Sequence, residues 1–291
     1  MIFLRLLTLS VLAIFLSTSM AGQESAETLA RDLFDAMLVG PVELVSSLSP
    51  DLEVSDANDI QDEFVRLELQ SKIIGGYKAG FTSVKAQEKW SVTSPVSGVL
   101  FTEGKLQGKP VINMGEYQKL FIEIEVGFLL ADEIAEPVDS IESLRGYLSH
   151  LVPVIELPDL RFKSLKTLTA PDLVAANMAS KKWLIGEPIV LSDAPLQFEV
   201  TLHQEGKLLD SGLAVIEDRL EALLWLVNER LSRGWPLKPG YVLITGALGK
   251  INPASLGCYA ADYGNFLGTI LFEVTKSFGK KPNGASCLSE Q

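Results

Sequence analysis

The stretch YQKLFIEIEVGFLL, residues 117–130, limits how this chain can fold more than any other. It has the aromatic and β-branched content of a buried strand, yet it carries Glu123 and Glu125. Side chains at i and i+2 of a strand share a face. The two carboxylates therefore project side by side, and Ile122, Ile124 and Val126 project to the other side. Like charges this close raise one another's pKa unless a cation sits between them. Either the glutamate face is wet, or something positive belongs against it.

The chain has 291 residues and a formal net charge of −12. Its first residues, MIFLRLLTLSVLAIFLSTSMAGQES, hold one cation, Arg5, then an apolar run to about Leu16. Ser19 and Ala21 stand at the minus-three and minus-one positions of a cut before Gly22. This is the pattern of a secretory signal peptide over 1–21, too short for a membrane span of about 20 apolar residues. An uncleaved N-terminal anchor is the alternative. The expectation is an exported, periplasmic protein with no stable membrane anchor after cleavage. The acidic balance argues against nucleic acid as a partner, because phosphates need Lys and Arg. It leaves small anionic substrates open, since a site's local field can oppose the net charge. Cys258 and Cys287 are the only cysteines. An oxidising compartment allows them to pair, and the sequence does not decide whether they do. Two cysteines and two histidines, with no CxxC, make a zinc site improbable.

Residues 22–72 show apolar residues at helical spacing, with Ala57, Ile60, Phe64, Val65 and Leu69 the clearest set. From residue 73 the pattern turns to strands and glycine-rich turns, and 73–291 is expected to form the main domain. GGYKAGFT is strand-like, and SIESLRGYLSHLVPVIELP has a helical start capped by Ser140 before a short strand ending near Glu156. PIVLSDAPLQFEVTLHQEGKLLDSGLA predicts a hairpin turning at QEGK. RLEALLWLVNERLSRG is an amphipathic helix closed by Gly234, and PLKPGYVLITGALG is a turn, a buried strand and a glycine loop. GTILFEVTKSFG is a closing strand. Helices first and strands afterwards favour an α+β class over βαβ repeats.

Glu156 is a third candidate carboxylate. Lys78 lies between glycines that permit close approach. The amide groups of TGALG are placed to face an anion. Three carboxylates without His or Cys suit a hard cation, Mg²⁺ or Mn²⁺. Taken singly, an ExE in a strand is ordinarily a solvated face, and a lysine between glycines an ordinary surface lysine.

GYKAGFTS, FIEIEVGFLL, VIELPDL, DLVAANMASKKWLIG, DSG and LLWLVNERLSRGWPLKPGYVLITGALG occur in that order. Together they resemble the 2-keto-4-pentenoate hydratase and 4-oxalocrotonate decarboxylase group of the fumarylacetoacetate hydrolase superfamily, over roughly residues 60–275. The resemblance implies a mixed β-structure wrapped by helices and a homo-oligomer. It also implies a small 2-oxo or 2-hydroxydienoic acid as substrate. It makes Glu123, Glu125 and Glu156 the ligands of Mg²⁺ or Mn²⁺ and Lys78 the catalytic and substrate-facing cation. Asn177, Thr245 and Gly246 would complete the substrate site.

Several positions depart from the group's pattern. Where PDxG is usual, this chain has SPVSG, with Val96 at the acidic position. ADNAS becomes AANMA at 175–179, with Ala176 and Ala179 replacing Asp and Ser. GHP becomes EDR at 217–219. Ser97, Ser180 and Lys181 are the nearby substitutes. Three functions follow: a metal-dependent hydratase or lyase, a decarboxylase or tautomerase, and a non-catalytic binder of an oxo acid. Trp90, Trp183 and Trp225 are expected to pack, with Trp225 on the inner face of its helix. His150, at a helix end, and His203, in a strand, carry no expected catalysis. Arg161, just after the Glu156 strand, is a candidate to face the site.

Overall fold

The computed structural model describes residues 17–276, with side chains from residue 26. Residues 1–16 of the expected leader, and Cys287 of the cysteine pair, lie outside the described residues. In chain order the helical front is α1 (Ser17–Val39), α2 (Val45–Leu48) and α3 (Val54–Glu68). There follow β1 (Ile74–Gly80), α4 (Val84–Trp90), β2 (Val96–Phe101), β3 (Lys105–Gln107), β4 (Val111–Asn113) and β5 (Phe121–Leu130). Next come α5 (Ile141–Arg145), β6 (Leu148–Leu157), α6 (Ala170–Ala175), β7 (Lys182–Ile185) and β8 (Ile189–Val190). The chain continues through β9 (Gln197–Gln204), β10 (Lys207–Val215), α7 (Ile216–Ser232) and β11 (Val242–Ile244). It closes with β12 (Asn252–Pro253), β13 (Gly257–Asp262) and β14 (Thr269–Thr275). Among the described residues no helix is long and apolar enough to cross a membrane.

The α+β expectation holds. Nine strands form one sheet with the path β2-β1-β11-β5-β6-β7-β3, and five form a second, β10-β9-β13-β14-β4. The outer face of β5 supplies Ile122, Ile124 and Val126 to the main core, where Tyr259, Phe272 and the inner face of α7 meet them. A second apolar cluster joins α1 and α3 to α6 through Leu33, Ile60, Phe64 and Val174. Local signals explain several ends. Glu53 and Asp56 form a reciprocal cap on α3, and Thr169 and Asp172 do the same on α6. The hairpin between β9 and β10 turns on Glu205 and Gly206, both with positive φ, as a tight hairpin loop requires.

Two expectations are corrected. The helix after Ser140 ends at Arg145, and β6 takes over by Leu148, because β6 must pair along β5 as far as Leu130. His150 therefore sits in a strand, not at a helix end. Trp225 is only partly buried at the edge of the core, whereas Trp183 is fully packed and donates its indole N–H to the Phe101 carbonyl at 3.0 Å.

Candidate metal centre

β5 and β6 run antiparallel with Glu123 opposite Glu156, so register alone brings two carboxylates together. The period of the strand adds Glu125 two residues along. One oxygen from each of the three lies within 4.8 Å of the others. Glu125 and Glu156 are buried and Glu123 is partly so. Lys78 arrives from β1, with β11 between its strand and β5. Its ammonium is buried, donates to Glu156 Oε1, and donates to the Met178 carbonyl at 3.2 Å. Gly246, just past β11, donates its N–H to Glu125 Oε2 at 2.9 Å. The amide of the glycine loop does face an anion, and that anion is the protein's own.

The electrostatics follow from burial. Desolvation, then the neighbouring Glu156, push the Glu123 carboxyl up to about 7. Burial, with Glu156 and Glu123 close by, holds Glu125 well above the usual carboxylate range. Burial pulls the Lys78 ammonium down, but Glu156, Glu123 and Glu125 outweigh it and hold its pKa above the ordinary lysine value. Glu156 Oε2 is buried and finds no hydrogen-bond donor. One ammonium among three carboxylates leaves negative charge and a free oxygen in a dry place. That donor set suits a hard divalent cation, which takes carboxylate oxygens and tolerates open positions for water or a chelating ligand.

These carboxylates form the floor of a cavity of about 570 Å³. Phe121, Leu160, Leu173 and Met178 give it an apolar wall. Lys85, Lys89 and Lys250 line it too, so cations surround an acidic floor. Phe81 and Trp90 stack at 5.1 Å between centroids and also line it. Trp90 is thus a wall of the cavity as well as a packing residue. α4 buries none of its residues, and a tryptophan ending so exposed a helix was the available sequence signal. Asp210 on β10 does not line the cavity but braces a loop that does. It accepts the Lys250 N–H at 2.7 Å and the Asn252 amide at 2.9 Å, pinning the loop that follows Gly246. The DSG block pointed at this residue without showing its role.

Other predicted site residues are placed elsewhere. Asn177 does not line this cavity: its amide accepts from Val99 N at 2.7 Å and donates to Val99 O at 3.0 Å, acting as a side-chain strand partner for β2. Thr245 is fully buried and its hydroxyl points at the Val126 carbonyl, 3.4 Å away. Arg161, Ser180 and Lys181 line a different cavity. Ser97 is spent on Glu229, at 2.8 Å, and on Arg230. Val96 is buried in the α1–α3–α6 cluster.

No family model matches the chain. The 2-keto-4-pentenoate hydratase of Paraburkholderia xenovorans (strain LB400) is 26% identical over 257 residues, which is 86% of this chain and 95% of the relative. The solved 4-oxalocrotonate decarboxylase from Pseudomonas putida G7, complexed with magnesium and adipate, superposes with a TM-score of 0.80. It is 22% identical and covers 87% of this chain and 98% of its own. In sequence the chain is similar to the 2-keto-4-pentenoate hydratases, and in fold to the 4-oxalocrotonate decarboxylase. A more distant likeness has the same overall fold: fumarylpyruvate hydrolase from Pseudomonas aeruginosa, in complex with Mn²⁺ and pyruvate, with a TM-score of 0.54 at 13% identity over 69% of this chain and 89% of that one. The β5–β6 floor and the Lys78 strand fall inside the span that the group's resemblance blocks cover.

Proposed function

We propose that the chain is a divalent-metal-dependent hydro-lyase acting on a small 2-oxo or 2-hydroxydienoic acid. The observation that carries this is the buried meeting of Glu123, Glu125 and Glu156, with an oxygen of Glu156 left without a donor. These three would hold Mg²⁺ or Mn²⁺, ions that the solved relatives carry. A metal there supplies a Lewis acid for the keto and carboxylate oxygens of the substrate. Lys78, held by Glu156 and the Met178 carbonyl, presents its third N–H to a bound acid and can move a proton at the substrate. The apolar wall of Phe121, Leu160 and Leu173 excludes water from the carbon chain, and the lysines at the rim attract an anion.

A second reading, decarboxylase or tautomerase, draws on Val96. The buried valine offers no acid–base group where the hydratases of the group have an acidic residue, and Ser97, Ser180 and Lys181 do not line this cavity. Chemistry that needs an electron sink more than an activated water tolerates that loss. Calorimetry of the mature protein with Mg²⁺ and Mn²⁺, with and without oxalate, tests the shared premise. Binding that strengthens with oxalate and is lost in Glu123→Ala/Glu125→Ala supports it, and unchanged affinity in that variant removes it. Turnover of 2-hydroxypentadienoate with uptake of water, against release of CO₂ from an oxo diacid, then separates the two reactions. Residues 1–21 and the family pattern further suggest an exported homo-oligomer. N-terminal sequencing of the periplasmic fraction and light scattering check each point.

A further inference from the structure

A second cavity, of about 310 Å³, lies on the other side of the turn that carries Met178 and Ala179. Ala179 belongs to both cavity walls. The helical front builds the roof of the second one: Phe34 and Met37 from α1 and Phe64 from α3. Phe34 and Phe64 meet edge to face at 5.9 Å, and Phe101 lines the cavity from β2.

Its charges are unevenly answered. Lys72 pairs with Glu68, and Lys182 pairs with Glu116 at 2.6 Å. Lys181 pairs with Asp159 at 2.8 Å. Arg161 has only Asp159, with Nε 3.8 Å from the nearer oxygen. Asp159 is already engaged by Lys181 and by the Gln118 and Lys119 N–H groups, at 2.8 and 3.0 Å. Arg161 Nε is buried and has no hydrogen-bond partner. The Arg161 side chain as a whole is 27% exposed, so an acceptor that enters the cavity can reach its guanidinium. A planar carboxylate matches the guanidinium fork.

We infer that this cavity is a binding site for a small aromatic carboxylate, the carboxylate on Arg161 and the ring against Phe34 and Phe64. The site is separate from the metal centre and does not depend on it. Hydrophobic walls fix the body and one cation fixes the orientation, the usual division of labour in a small-molecule pocket.

The test is calorimetric titration of the full mature chain with benzoate in EDTA, alongside three variants and the neutral isostere benzamide. Saturable benzoate binding is expected in wild type and, unchanged, in Glu123→Ala/Glu125→Ala. Arg161→Met should weaken it at least tenfold, and benzamide should bind at least tenfold less tightly than benzoate. Met37→Trp fills the roof without touching Arg161 and should also abolish binding, so it decides the question if Arg161→Met fails to fold by circular dichroism. No saturable binding to wild type overturns the inference. So does benzoate binding that survives in folded Arg161→Met or in Met37→Trp. Loss of binding in the Glu123/Glu125 variant places the ligand in the metal cavity and overturns it as well.

Discussion

Raising the pH should destabilise the metal-free protein, which is the reverse of what paired surface carboxylates do. Glu123 has an unfolded value near 4.3 and is pushed up to about 7 when folded. The folded state therefore holds this proton more tightly than the unfolded chain. The associated stability is complete below about pH 4.3 and is lost as pH rises through about 7. At 1.36 kcal/mol per pH unit, the whole gap corresponds to about 4 kcal/mol. Glu125 shifts in the same direction, and the groups facing both are Lys78 and Glu156. A divalent ion binds the ionised carboxylates and so competes with the protons. At a hundred times its dissociation constant it adds about 2.7 kcal/mol. Urea unfolding in EDTA at pH 5.5, 7.0 and 8.5 should show stability falling by about 2 kcal/mol or more, since about 1.5 pH units of the gap lie above pH 5.5, and saturating Mg²⁺ or Mn²⁺ should flatten or reverse that slope. Metal-free stability that stays level or rises across this window would mean that water reaches the glutamates and that the desolvation argument fails.

Three further outcomes are expected. Lys78→Met removes the cation from a buried pair and should cost about 3–5 kcal/mol in metal-free protein at pH 8, with part recovered on adding metal. Equal urea midpoints for variant and parent would place the ammonium outside the cluster. Asn177→Ala leaves the Val99 N–H and carbonyl without their partner and should cost about 1–3 kcal/mol, while metal affinity changes less than twofold; a large loss of oxo-acid binding without loss of stability would return Asn177 to the substrate site. Gly246 has φ +91°, and an added Cβ would lie 2.8 Å from Thr82 Oγ1. Gly246→Ala should therefore cost about 1–3 kcal/mol and weaken metal binding by displacing the N–H on Glu125, measurable by melting and titration on one sample.

The acidic floor was legible because it needs only strand periodicity: Glu123 and Glu125 share a face at any register. That Glu156 stands opposite Glu123 was not, because register depends on how β6 pairs over its whole length. Lys78 was found through its glycine neighbours and the resemblance. Asn177 and Thr245 were carried across as motif positions, and the sequence does not show what they touch. Their polar atoms are taken up by Val99 and Val126, and only the packed structure shows where a donor is spent. Trp90 was placed with the packing residues, since a sequence does not tell a tryptophan that covers a core from one that walls a cavity. The second cavity lay beyond reach altogether: α1 and the Arg161 segment are more than a hundred residues apart and meet only in three dimensions.

The short strand β11 has a consequence for how the molecule comes into being. Residues 242–244 sit between β1, which they join in parallel, and β5, which they join antiparallel. The strand bearing Lys78 and the strand bearing two of the glutamates are thus stitched together by a segment made more than a hundred residues after either of them. A ribosome adding roughly 5–20 residues per second needs on the order of ten seconds or more to travel from Lys78 to Ile244. Until then β1 and β5 lack the strand that joins them. The half-made polypeptide therefore lacks the finished cluster, and any cation the three glutamates hold is bound once β11 is in place.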